Sequence, residues 1–428
     1  MPPHIIVIGA GLAGAAASAK LGAAGCRVTV IEARDRAGGR GYAKPFPGEA
    51  EPLEMGGAWI APWHARVRAL AAEHGLALRP RHAVASRLFA TPQPAGWAER
   101  QAHERVIARV AADALLLKQG SAANEKGEAL RGVSFAAYLD RLAPPSGTMP
   151  AFTRALFSAW WVMSGNADHG LAAASEFLAS CVYADGLAEG MIESWADTVT
   201  PGIDRLAERL IAASGANTLF SAPVSAISST GADVEIVAGD TRHAADAVVV
   251  ALGLNQMRGI TFTPALPAQK RDAIATGHGG ASFKLWVKMQ GVPVGTLATG
   301  DGSGIEFAFA ERLAADGTTL VVAFGLAGGE AQPGDPAWVA AEMAKLIPNA
   351  RYIAHDWHDW VADPYARGTW VAALAGREAG VEAGNWLPIG RIAFASSDYA
   401  PEQAGWFEGA VICGERAARD VLAMLARA

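Results

Sequence analysis

With 428 residues, 51% hydrophobic and 18% charged, the chain is long enough for two or more domains with an ample core and too apolar for disorder. A net charge of -6 and a pI near 6.0 leave no basic field for nucleic acid, and no Cys/His zinc spacing or other metal motif stands in the sequence. Cys26, Cys181 and Cys413 are too scattered for a disulfide framework, no run of about 18 apolar residues reads as a membrane span, and the N-terminus lacks the basic start of a signal peptide, so a soluble cytoplasmic protein with reduced thiols is expected.

Ile5 to Ile8 suits a buried parallel strand and passes into Gly9-Ala10-Gly11-Leu12-Ala13-Gly14, then into the helix-forming stretch Ala15 to Ala24. In such a turn the first glycine permits the bend, the second lets backbone approach a pyrophosphate, and the third lets helix pack on strand. The helix N-terminus adds amides and a positive dipole end. A second strand, Arg27 to Ile31, ends in Glu32, about 20 residues downstream, where an acid binds the adenosine ribose 2′-hydroxyl and argues against a 2′-phosphate. In Ala33 to Gly41, the pair Gly38-Gly39 with Arg40 can bring backbone and positive charge to the same diphosphate; alone it also reads as a surface turn with a solvated arginine. Glu54-Met55-Gly56-Gly57-Ala58-Trp59 sets small residues beside an aromatic, where backbone can meet a flat ring. Glycine clusters spread over the first 60 residues suggest a long, extended cofactor, FAD rather than NAD.

His64 to Leu78 is expected as a helix. Pro80 to Gln119 reads as loop and then helix to Lys118, Gly120 to Gly127 as loop, and Val133 to Leu142 and Ala151 to Met163 as helices. Pro201 to Ser214 is a helix ended by Gly215, followed by short strands at Thr218 to Phe220, Val224 to Ser228, Val234 to Val237 and Ala247 to Leu252. Ser282 to Met289 alternates with period two and puts Lys284, Trp286 and Lys288 on one face, so by pattern Lys284 is a solvated strand lysine. Trp357 to Trp370 is unusually aromatic for a loop and strand. Arg391 to Asp398 gives a last strand ending in an acid, before Gly405 to Ala410 and a C-terminal helix, which is where a doubly wound fold binds ribityl or diphosphate.

The series VIGAGLAG, EARDRAGGR and EMGGAW resembles the opening of the flavin-containing amine oxidase family, which includes the monoamine, polyamine and 6-hydroxynicotine oxidases, and the similarity runs over nearly the whole chain. GHGG before Lys284, HDWVADP, and Asp398 in place of a more usual glutamate resemble the 6-hydroxy-L-nicotine oxidase branch. The resemblance implies an α/β molecule, α+β overall. A discontinuous Rossmann-like FAD-binding domain (1–80, 200–262 and 385–428) would carry an inserted substrate domain of antiparallel sheet plus helices (81–199 and 263–384). It implies FAD held without a covalent bond, since Thr369 stands where flavinylated members carry cysteine. Its contacts would be Gly9, Gly11, Ala13, Gly14, Glu32, Ala33, Arg34, Gly39, Arg40, Gly56, Gly57, Ala58, Trp59, Val224, Trp360, Ser397, Asp398, Trp406 and Phe407.

Trp370 and Trp406 fall at the walls of the family's aromatic cage, against a bland reading as core tryptophans, and Lys284 matches the lysine that holds a water near the flavin N5 and assists reoxidation. In the nicotine-oxidase branch an asparagine that contacts the pyridine ring falls at Val162, near Asn166, and the pocket tyrosine falls at Phe307 or Phe309. A fairly apolar cyclic or aryl amine is therefore expected rather than hydroxynicotine. The implied reaction is oxidation of a primary or secondary amine to an imine by hydride transfer, with oxygen reduced to peroxide. Open alternatives are an L-amino-acid oxidase using Arg367 or Arg377 on the carboxylate, a dehydrogenase passing electrons to a transfer protein, and a flavin-binding protein without turnover. A carotenoid- or porphyrinogen-type desaturase fits the paired tryptophans poorly. No nucleic acid, membrane or metal partner is expected, and the oligomeric state is open between monomer and homodimer.

Overall fold

Ile5 to Ile8 are aliphatic on both faces and fully buried, which a strand satisfies only at the centre of a sheet covered on both sides. The computed structural model describes residues 1–118, 130, 132–142, 149–171, 173–174, 192–231 and 233–427. In it a parallel sheet runs in the order Ile392–Phe394, Ala247–Val250, His4–Ile8, Arg27–Ile31, Asn217–Leu219. The helix Leu12–Ala23 covers it, packed between Asp204–Ala213 and the C-terminal helix Phe407–Leu425. Small residues set that spacing: a Cβ at Gly414 would stand 2.1 Å from the Ala13 carbonyl oxygen, and one at Gly22 2.4 Å from that of Ser214.

Three strands of a smaller sheet, Val224–Thr230, Asp233–Ala238 and Thr241–Ala245, precede the return of the chain to the parallel sheet at Ala247–Val250, and its fourth, Thr261–Thr263, follows it and pairs with Val224–Thr230. The other large sheet is ordered Arg351–Trp357, Ser282–Gln290, Thr319–Leu326, Ile305–Leu313, Thr296–Thr299, Ser86–Phe89, antiparallel except for its last pair. One face, with Phe283, Leu285, Val287 and Met289, packs on the helix Pro336–Leu346. The other, with Trp286, Phe307, Phe309, Val322 and Phe324, meets the helix Ala151–Ser164 and forms an aromatic core.

The period-two faces expected for Ser282 to Met289 are therefore present, but both are covered. Lys284 is 5% exposed and is not a solvated strand lysine. The helix expected over His64 to Leu78 covers only Ala65–Glu73: Gly75 takes φ +65° and turns the chain into the strand Ala77–Pro80. Ser86–Phe89 and Thr241–Ala245 are edge strands that the pattern did not announce. Cys26 and Cys413 are free and buried, whereas Cys181 and the Gly120 to Gly127 stretch lie outside the described residues. Among the described residues no helix is long and apolar enough to cross a membrane.

Candidate active site

The glycine turn is built for two different purposes. A Cβ at Gly9 would lie 2.6 Å from the Ala251 carbonyl oxygen, and one at Gly14 1.9 Å from that of Gly9, so these positions serve close packing. At Gly11 a Cβ would meet only the Gly39 Cα, at 3.8 Å, and no side chain caps the helix that begins at Leu12. Its first amides therefore face open space.

That space is a cavity of about 240 Å³. Its lining includes Gly9, Gly11, Ala13, Glu32, Ala33, Arg34, Gly39, Arg40, Val224, Ser397 and Phe407, all marked from the sequence. Leu252 and Gln256 also line it and carried no signal in the sequence, and so do Tyr365, from the aromatic stretch, and Arg367, which the sequence offered as a carboxylate clamp and which lies here instead among the residues of the glycine turn. Glu32 is oriented by two amides, accepting from Ala10 N at 2.7 Å and Arg34 N at 2.9 Å. Backbone donors, a bare glycine and a fixed acid suit a dinucleotide's diphosphate and ribose.

Arg40 stands at the inner end of the cavity. Its guanidinium donates to the Thr369 carbonyl at 2.7 Å, to Ser397 Oγ at 3.2 Å and to Asp398 Oδ1 at 2.5 Å. Asp398 is fully buried, and its other oxygen accepts Leu254 N at 3.1 Å. Burial alone would push its carboxyl up, but Arg40 and His278 hold it below the usual range. Asp398 thus fixes Arg40 from behind, and Ser397 is the one of the two that lines the cavity.

Beyond Arg40 lies the aromatic core. Trp59 stacks on Trp195 with centroids 4.3 Å apart, and Trp195 meets Phe307 at 5.0 Å. Phe324 meets Trp59 at 5.6 Å and Trp370 at 6.3 Å. Gly405, next to Trp406, brings its Cβ position within 4.0 Å of the Trp370 Cβ. Trp370, Trp406, Trp59, Val162, Phe307 and Phe309 thus share one apolar cluster. Phe407 packs over Gly57, whose Cβ would stand 2.5 Å from the ring. Trp59 Nε1, Trp370 Nε1 and Thr369 Oγ1 are buried without partners, polar atoms that a bound heteroaromatic ring could satisfy. Trp195 and Phe324 were not marked from the sequence, because nothing local separates them from ordinary core aromatics.

Two marked residues lie off this wall. Asn166 spends its amide on the backbone, donating to the Gly279 carbonyl at 2.6 Å and accepting from Asp168 N at 2.8 Å. Trp360 is buried behind Gly56, with its indole N–H on the Met55 carbonyl at 3.0 Å. Ala58 is buried beside Trp59.

Lys284 enters the core from the strand Ser282–Gln290. Its Nζ donates to the Gly56 carbonyl at 2.8 Å and lies 5.4 Å from the Trp59 ring centroid. Burial lowers it to about 8, against the pull of Glu54 and Glu311. Glu54 is itself raised to about 8 by burial, and Glu311, at the register shift between Ala310 and Arg312, is raised too. Each of these carboxylates keeps one buried oxygen unpartnered.

A family model described as flavin containing amine oxidoreductase matches residues 12–422. The chain is 29% identical over 442 residues to (S)-6-hydroxynicotine oxidase of Paenarthrobacter nicotinovorans, covering 97% of this chain and 99% of that one. It is 25% identical over 446 residues to pseudooxynicotine dehydrogenase of Pseudomonas sp, covering 98% and 86%. Among solved structures, a putrescine oxidase double mutant superposes with a TM-score of 0.81 at 23% identity over 99% of both chains, a likeness of fold.

Proposed function

The chain belongs to the flavin-containing amine oxidoreductases, and from that premise we propose that it is an FAD-dependent oxidase of a fairly apolar primary or secondary amine, cyclic or aryl. The amine would lose a hydride from the carbon beside nitrogen and a proton from nitrogen, giving an imine that water hydrolyses, while oxygen takes two electrons and two protons to become hydrogen peroxide. Bound FAD would supply the hydride acceptor between these half-reactions.

The chain's own residues would bind, desolvate and orient. Gly11, Glu32, Gly39 and Arg40 would hold the dinucleotide through backbone amides, one carboxylate and one cation, and Thr369 offers no thiol for a covalent bond. Trp370 and Trp406 would flank the reacting carbon. An apolar slot of this kind disfavours the ammonium form and so keeps the nitrogen lone pair free. Val162, Phe307 and Phe309 are apolar, and the Asn166 amide is already engaged, so none of these four positions offers a hydroxypyridine a polar handle. Lys284 would place a positive charge where negative charge develops on oxygen. The relatives' names include both an oxidase and a dehydrogenase, so an electron-transfer protein is the rival acceptor.

The observation that carries this reading is a buried lysine hydrogen-bonded to Gly56 on the wall of a core that also holds Trp370 and Trp406. It is tested by adding cyclic amines, aryl amines and L-amino acids to the purified yellow protein without oxygen. Bleaching by amines alone supports the reading; bleaching by amino acids alone replaces it with an amino-acid oxidase. Admitting oxygen then separates oxidase from dehydrogenase by peroxide release.

A further inference from the structure

The stretch from Trp357 to Trp370 stood out in the sequence for its aromatics, yet the function proposed above uses only its last two residues, Thr369 and Trp370. After the strand Arg351–Trp357 the chain makes a closed loop whose ends meet where Gly368 N donates to the Trp360 carbonyl at 2.9 Å. The tip of this loop, Pro364 and Tyr365, lines the cavity together with Arg367.

Asp363 holds the tip in three ways. One oxygen accepts the Arg34 guanidinium at 2.7 Å and Tyr365 N at 2.8 Å, and the other faces His358 Nε2 at 2.7 Å. The pair is largely shielded, with side-chain exposures of 13% for Arg34 and 7% for Asp363. Burial opposes the charge, but the bonds from His358 and Arg34 hold the carboxyl well below its usual range. Arg34 also sits 5.6 Å over the Tyr365 ring, and its own amide donates to Glu32. One residue therefore links the acid that would hold the ribose to the loop tip.

At its other end the same segment is held by the second arginine of the cavity wall. Arg40 donates to the Thr369 carbonyl at 2.7 Å, and Thr369 N donates to the Gly280 carbonyl at 3.0 Å, one residue before Trp370. Between these ends Asn255 Nδ2 donates to the Arg367 carbonyl at 2.8 Å, and Arg367 takes φ +52°, a conformation an arginine keeps only where surrounding bonds impose it.

We propose that residues 360–368 form a clasp over the adenosine half of the bound FAD, locked by the Arg34–Asp363–His358 network. Asp363 is a positioning residue: it acts through Arg34 and Tyr365. This rests on the flavin reading above.

The test uses full-length holoprotein and follows release of FAD by the rise in free-flavin fluorescence on dilution. Asp363→Asn and Arg34→Gln should each speed release about tenfold, the scale of one shielded charge-assisted hydrogen bond. The double variant should release FAD more slowly than the product of the two single effects, because both remove the Arg34–Asp363 bond, while the bonds from His358 and Tyr365 N to Asp363 and the place of Arg34 in the cavity wall keep their own share. Tyr365→Ala, at a tip residue that is 39% exposed, provides a variant free of folding risk and should also release FAD faster. As a second readout, FAD should slow cleavage by trypsin after Arg367, an exposed residue followed by the buried Gly368, in the unaltered protein and fail to slow it in Asp363→Asn. Protein that takes up FAD but whose variants release it at the unaltered rate, or whose double variant shows the product of the single effects, overturns the clasp alone. Protein that binds no FAD at all overturns the flavin reading and the clasp with it.

Discussion

Lys284 crosses from the antiparallel sheet to the glycine segment that follows Glu54, its Nζ donating to the Gly56 carbonyl at 2.8 Å. Two residues later on the same strand Trp286 repeats the tie, its indole N–H on the Glu54 carbonyl at 2.8 Å. The lysine is thus held against backbone with its charge buried, and Lys284→Met should slow reoxidation by oxygen on the order of 100-fold while leaving anaerobic reduction by amine within a few-fold. Glu54 and Glu311, both pushed up by burial, can take up protons when the cation is lost, so the fold should survive. Stopped-flow measurement of the two half-reactions checks this; an unchanged oxidative half-reaction removes Lys284 from the chemistry.

The same site should titrate. Lys284 is lowered to about 8 and Glu54 raised to about 8, so they titrate as a coupled pair whose steps belong to the pair and not to either residue alone. Below that pH the lysine carries its charge, and above it the charge is lost. The reoxidation rate should therefore fall as pH rises through about 8. Glu54→Gln removes a charge that favours the ammonium, so it should move the fall to lower pH. A profile that is flat from pH 6 to pH 10, about two units either side, would show that no such cation assists the step.

The two kinds of glycine in the turn from Gly9 to Gly14 should separate in their alanine variants. Gly14→Ala forces a methyl to within 1.9 Å of the Gly9 carbonyl oxygen and should cost stability by about 2 kcal/mol or more. Gly11→Ala meets nothing closer than 3.8 Å at an ordinary negative φ, so the apoprotein should melt as before. Its methyl would occupy the space where the diphosphate approaches, and FAD affinity should fall on the order of 30-fold. Melting curves with and without FAD distinguish the two effects.

Much of this was legible in local sequence, because a phosphate turn needs its glycines, strand and acid within one βαβ unit. Gly9, Gly11, Glu32 and Arg40 could be read that way, and the family resemblance is borne out by a match over residues 12–422. The aromatic core was legible only in part. Trp195 and Phe324 reach it through contacts across sheets and carry no local signature. Lys284 misled the alternation pattern because burial of both sheet faces depends on helices that lie far away in the chain. Asp363 and Tyr365 came from a loop whose role depends on Arg34, 329 residues earlier for the Asp363 pair.

Trp406 caps the C-terminal helix with extended backbone and no side-chain hydrogen bond, so truncating its ring should leave the helix and the glycine turn intact. Trp406→Ala should lower kcat/KM for amine on the order of 100-fold, the scale of a reacting carbon misplaced by about 1 Å, while FAD content stays near normal. Equal loss of turnover and flavin content would assign Trp406 to cofactor retention instead of substrate alignment.

Arg40 and Asp398 form a pair whose loss the fold should feel. Asp398 is fully buried, and Arg40→Met would strip it of its cation while leaving the carboxylate with no access to water. Breaking a buried pair from one side costs about 3 to 5 kcal/mol, and partial exposure of Arg40 places the expectation near the lower bound. The sign with pH follows from Asp398's depressed value. In the unaltered protein this carboxylate contributes stability that is fully present above its unfolded value and is lost as pH falls through the lower folded value. In Arg40→Met the depression is gone and burial dominates, so the penalty should be largest near neutral pH and shrink as acid protonates Asp398. Denaturant unfolding of both proteins from pH 7 down to about pH 4 checks this; a difference that stays constant over that range would mean that Arg40 stabilises the fold by packing and not through Asp398.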